Sequence, residues 1–155
     1  MDIKKLSNFH KKFEKLCYLH DAGDVLDALL EWIMFGFCAD ESITWDSGKR
    51  FSENEQKQFY PLFQEWVAVM NDRIKGDGDW FDLPGMYYEN YVAGKSRRDS
   101  RGQFFTPKHV CDLNVKIAVG EVKTGQRISD PCSGSGRFLL TLHANARETS
   151  FSLRL

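Results

Sequence analysis

The chain has 155 residues, enough for one ordinary domain or for a small domain and a piece of another. Its 42% hydrophobic, 28% charged and 14% aromatic residues can form a core, which excludes global disorder. A formal net charge of -1 excludes a broadly basic nucleic-acid module, so any such contact must be local.

No apolar stretch is long enough to span a bilayer, and Lys4 and Lys5 are not followed by the apolar core of a signal peptide. A cytoplasmic location is the default expectation. The four cysteines, Cys17, Cys38, Cys111 and Cys132, form no Cys-x-x-Cys pair and no regular spacing with histidine, which argues against a metal site and for reduced thiols.

Ile3, Leu6, Phe9, Phe13, Leu16 and Cys17 recur at helical spacing, with Lys4, Lys5, Lys11, Lys12 and Lys15 between them. This predicts an amphipathic helix whose lysine face is solvated. After Gly23 and Asp24, the residues Val25, Leu26, Leu29, Leu30, Trp32, Ile33 and Phe37 predict a second helix, apolar on more than one face and central to a bundle. Residues 39–50 read as a connecting loop. Ser52 and Glu55 have capping-box spacing, so a third helix is expected to begin there and to run through Phe59, Leu62, Phe63, Trp66, Val67, Met70 and Ile74 to Gly76. Its aromatics read as core.

Beyond the turn at 76–79, Trp80, Phe81 and Leu83 lead to Pro84, which can open a short helix over Met86, Tyr87, Tyr88 and Tyr91. The stretch 93–101 is small, polar and basic. Its Lys95, Arg97, Arg98 and Arg101 suit either a solvated linker or a phosphate backbone. Thr106 at the N-cap and Pro107 at the first helical position predict a helix through Val110, Cys111, Leu113, Asn114, Ile117 and Ala118. Ile128 marks a strand, a helix is expected from Arg137 to about Arg147, and Phe151, Leu153 and Leu155 alternate as a strand does. His143 sits within a periodic stretch and is given no catalytic role.

The strand at Ile128 ends in Asp130-Pro131-Cys132-Ser133-Gly134-Ser135-Gly136 before the helix begins. A glycine turn at a helix start can hold a nucleotide-like ligand on free amides and the helix dipole. Arg137 follows the second glycine with no Lys-Ser pair, so this is no triphosphate loop, and Leu139 stands where a dinucleotide fingerprint needs a third glycine. The carboxylate of Asp130 at the strand tip would repel phosphate and attract an ammonium group.

At these residues the chain resembles the adenine-specific DNA methyltransferases, in the branch of the type I restriction-modification system modification subunits. Asp130 to Leu140 looks like the S-adenosylmethionine loop of that family, Gly102-Gln103-Phe104-Phe105-Thr106-Pro107 looks like a segment covering the cofactor from the other side, and Asp82 to Glu89 is similar to a helix start ahead of the catalytic domain. The resemblance implies S-adenosylmethionine as cofactor, bound by Gln103, Phe104, Phe105, Thr106, Pro107, Asp130, Cys132, Ser133, Gly134, Ser135 and Gly136. It also implies DNA and the specificity and restriction subunits as partners.

The expected architecture is a mostly α N-terminal bundle over 1–94, a basic linker over 95–101, and from 102 to 155 the start of a Rossmann-like α/β S-adenosylmethionine-dependent methyltransferase domain, truncated. The family's catalytic Asn or Asp followed by Pro-Pro and an aromatic is absent, because the prolines at 61, 84, 107 and 131 all stand alone. No catalytic residue is therefore assigned, and the chain alone is expected to transfer no methyl group. Glu148 precedes the last strand and is not assigned to the cofactor ribose. The alternatives are a non-catalytic DNA- or subunit-interaction module derived from such an enzyme, and a small-molecule methyltransferase sharing the loop.

Overall fold

The computed structural model describes residues 6–38, 42–76, 79–93, 105–146 and 152–154. Two compact units divide the chain: Met1–Asp72 with Asn90–Val92, and Arg73–Glu89 with Ala93–Leu155. The basic run Lys95 to Arg101 and the residues Gln103 and Phe104 lie outside the described residues.

The first unit is helical. Along α1 (Ser7–Cys17) the periodic apolar positions bury Phe9, Phe13 and Leu16 together with His10, while Lys11 and Lys15 face water and Lys12 pairs with Glu65 at 3.1 Å. Asp21 caps α2 (Ala22–Phe37) by accepting the Gly23 amide at 2.8 Å, and Val25, Leu26, Ala28 and Leu29 of α2 are buried. Each fully buried valine or leucine side chain contributes about 2 kcal/mol. The expectation of a central helix holds only for its first half. Met34, Phe35 and Phe37 are exposed, with the Phe37 ring set 5.3 Å from that of Phe63.

Where a plain loop was expected, Ser47–Arg50 forms a 3-10 turn beneath Trp45, whose indole N–H donates to the Ala28 carbonyl at 2.9 Å. The capping box forms as predicted: the Glu55 carboxylate accepts the Ser52 amide at 2.8 Å and its hydroxyl at 2.7 Å. The helix it starts, α3 (Glu53–Gln56), is only one turn, and a separate α4 (Phe59–Arg73) follows. Pro61 explains the break. It has no amide to give the carbonyl four residues back, and its ring excludes continuous helix over that turn. Phe59 and Leu62 then complete the core with Phe51, and Tyr91 lays its ring against His10 and Phe13.

In the second unit, α5 (Leu83–Tyr87) buries Leu83, Gly85, Met86 and Tyr87; the π-helical turn that follows it in the chain, Tyr88–Val92, ends in residues of the first unit. The next helix, α6 (Lys108–Ala118), begins one residue later than predicted, with Pro107 at its N-cap and no side-chain cap from Thr106. Gly120, at φ 65°, ends it in a conformation that suits glycine. Strand β1 (Arg127–Ser129) pairs in parallel with β2 (Ser152–Arg154), Ile128 opposite Leu153, and α7 (Arg137–Ala146) connects them. A parallel pair needs such a crossover. Helices α6 and α7 pack together: Val115, Leu139 and Leu142 form a buried cluster, and Val119, Val122, Ile128 and Phe138 close around it. Among the described residues no helix is long and apolar enough to cross a membrane.

Candidate functional site

The glycine turn after β1 is built from its own polar atoms. Asp130 Oδ1 accepts the Cys132 amide at 3.0 Å, and the Gly136 amide donates to the Ser133 carbonyl at 2.8 Å. Gly134 and Gly136 have φ of 55° and 78°, the left-handed region in which most side chains are strained. A side-chain carbon at Gly136 would meet nothing within 4 Å, so the space above that residue is open. The second oxygen of Asp130, Oδ2, is buried and has no hydrogen-bond partner among the described residues. A desolvated carboxylate oxygen without a partner costs free energy that a cationic donor beside it would recover.

Phe105 borders this turn. Its ring carbons lie 3.8 Å from where a Cβ on Gly134 would stand, and its ring centroid is 5.6 Å from that of Tyr88. The structure thus brings together two sequence motifs separated by more than twenty residues. Thr106 takes part through its carbonyl, which accepts the Cys111 thiol at 3.6 Å and an Arg137 N–H at 3.2 Å. Pro107, Cys132 and Gly134 are exposed, and Ser133 is half-buried. Ser135 donates its hydroxyl proton to Asp82 Oδ2 at 2.8 Å, so that proton is committed within the protein.

Three residues at the centre of this arrangement were read in the sequence only as members of motifs. Asp82 caps α5 by accepting the Gly85 amide on Oδ1 at 2.7 Å, and its Oδ2 also accepts Arg137 Nε at 2.7 Å. Its side chain is 4% exposed and that of Arg137 14%, so this is a buried ion pair with both carboxylate oxygens occupied. A Cβ on Gly85 would fall on the Asp82 carboxylate, which fixes glycine there. Glu89 accepts the Phe105 amide at 3.0 Å and an Arg137 terminal nitrogen at 3.3 Å. The Arg137 guanidinium lies 5.1 Å from the centroid of the Phe105 ring. The available signal was an acid ahead of Leu-Pro-Gly and an arginine at the first position of an otherwise apolar helix.

Beside this cluster, Lys108 binds Asp79 and the Trp80 carbonyl, with its ammonium 5.1 Å from the Trp80 ring centroid. Lys108, then the Lys75 and Trp80 amides, hold the Asp79 carboxyl below its ordinary range. Burial pushes the Cys111 thiol up, and Arg137 opposes the shift.

Over this stretch, residues 81–152 match the family model for N-6 DNA Methylase. Over 68 residues the chain is 40% identical to the type I restriction enzyme MpnII methylase subunit of Mycoplasma pneumoniae (strain ATCC 29342 / M129 / Subtype 1). That similarity covers 43% of this chain and 11% of the relative, so the chain spans about a tenth of the relative's length. No solved structure matches it.

Proposed function

We propose that this chain carries the helical front part and the S-adenosylmethionine-binding loop of an adenine-specific (N6) DNA methyltransferase of a type I restriction-modification system. On this reading β1, α7 and β2 are the first strand-helix-strand step of a Rossmann-like sheet, and the protein works in the cytoplasm with DNA and with specificity and restriction subunits. The observation that carries the proposal is the buried, partnerless Oδ2 of Asp130 at the lip of a turn bordered by Phe105. A carboxylate so placed suits the cationic methionine end of the cofactor and disfavours phosphate.

Each residue then has a physical task. Gly134 and Gly136 keep bulk out of the turn so that the backbone can approach the ligand, Asp130 neutralises its positive charge, and the Phe105 ring gives an apolar wall that excludes water on one side. Bound S-adenosylmethionine supplies the electrophilic methyl group for the exocyclic amine of adenine. The Asn or Asp-Pro-Pro-aromatic element that would hold a flipped base is not among these 155 residues, so the contribution of this chain is binding and orientation. Calorimetry of the full chain with S-adenosylmethionine tests the reading. Saturable heat that is lost in Gly134→Asp supports it; no saturable heat from the unaltered chain overturns it.

A further inference from the structure

We propose that Arg137 is a positioning residue that sets the spacing between the glycine turn and the Phe105 wall, with Asp82 and Glu89 as its anchors. The inference rests on the cofactor reading above and extends it to a residue outside the proposed set of cofactor contacts. Arg137 is the first residue of α7, directly after Gly136. Its three nitrogens go to three acceptors on two stretches of chain: Nε to Asp82 Oδ2 and one terminal nitrogen to Glu89 Oε2 in the stretch 82–89, and the other terminal nitrogen to the Thr106 carbonyl. The central carbon of the same group lies 5.1 Å from the Phe105 ring centroid, while Glu89 holds the Phe105 amide and Asp82 holds the Ser135 hydroxyl. Both walls of the candidate slot are therefore tied, within two bonds, to one guanidinium.

Stability alone does not call for this arrangement. A buried ion pair can often be exchanged for apolar packing without loss, so holding three acceptors at once is a demand on geometry. Only a planar fork meets it. Lysine carries the same charge as a single point on a flexible stem and can reach one of the three acceptors well, but not all of them. Charge and packing can thus be kept while the spacing is released.

The test compares the full chain with Arg137→Lys, Glu89→Ala and Glu89→Gln, reading S-adenosylmethionine affinity by calorimetry, melting temperature, and hydrogen exchange of peptides covering 105–111 and 133–140. Arg137→Lys is expected to weaken binding about tenfold and to speed exchange in both peptides. Its melting temperature should fall by no more than about 8 °C in a chain of this size. Glu89→Ala should weaken binding likewise, and Glu89→Gln, which keeps an acceptor for the Phe105 amide, should recover part of it. Binding by Arg137→Lys equal to the parent's, or affinity losses that simply follow melting temperature across the variants, overturns the proposal. If the unaltered chain takes up no S-adenosylmethionine, the cofactor reading fails by itself. The positioning role is then decided by exchange alone, and unchanged exchange in Arg137→Lys refutes it.

Discussion

Adding one methyl group at Gly85 separates two physical effects of opposite sign. Alanine is the better helix former by about 1 kcal/mol, so propensity alone makes Gly85→Ala stabilising. The new Cβ, however, would occupy the place of the Asp82 carboxylate, which cannot swing away without leaving the Gly85 amide, the Ser135 hydroxyl and Arg137 Nε. Loss of the cap costs about 1 kcal/mol and loss of the charged hydrogen bond to Arg137 about 2 kcal/mol, so with the gain in propensity the net expectation is a loss of about 2 kcal/mol. Gly36→Ala in α2 is the control, because a Cβ there meets nothing within 4 Å; it should gain about 0.5 kcal/mol or more. Urea denaturation followed by circular dichroism gives both values, and hydrogen exchange over residues 82–89 assigns the weakened region. In an Asp82→Ala background the carboxylate is gone, so Gly85→Ala should cost nothing more. A Gly85→Ala chain as stable as Gly36→Ala, or fully additive with Asp82→Ala, would refute the packing argument.

Asp130→Asn keeps the acceptor for the Cys132 amide but removes the charge, so S-adenosylmethionine should bind about tenfold more weakly with little change in melting temperature; unchanged affinity counts against the role given to Asp130. The Ser52 hydroxyl, then its amide, then His20 lower the Glu55 pKa from 4.5 to about 2. A depressed carboxylate stabilises the fold above its unfolded pKa and loses that contribution as pH falls through the folded one, so the α3 start should loosen between about pH 4.5 and 2. The Ser52 amide resonance should titrate near the lower value, and a midpoint near 4.5 would exclude the capping box in solution. Burial first, then Asp21 and Glu14, push the Cys17 thiol up to about 12, and Cys111 is buried, whereas Cys38 and Cys132 are exposed. Iodoacetamide at pH 8 should label Cys38 and Cys132 quickly and the other two slowly, as read by peptide mass spectrometry; rapid labelling of Cys17 contradicts this.

Local patterns made much of the fold legible. Helical spacing located α1, α2 and the body of α4, the Ser52-Glu55 pair located a helix start, and the strand-turn-helix over Arg127 to Ala146 followed from a β-branched residue, two glycines and an apolar run. Failures came where one residue overrode a regional pattern. Pro61 split a helix that apolar periodicity would continue, and Thr106, a good cap in isolation, yielded that place to Pro107. The exposed end of α2 was hidden for another reason, since apolar composition does not say which faces find a neighbour. At the candidate site, the turn and Phe105 could be read from motifs. The Asp82, Glu89 and Arg137 hub could not, because it unites charges far apart in sequence, and only the folded chain shows that they are buried together.

The wiring of that hub constrains how such a sequence can change. Stretches near 82–89, 105–106 and 135–137 share a single basic side chain, so none of them can drift independently of the others. A hybrid gene with a crossover anywhere between Glu89 and Ser135 would inherit its acids from one parent and its arginine from the other. Such a hybrid should fold well only when both parents carry the same acid and base pairing, which makes this interval a poor place to exchange parts between relatives.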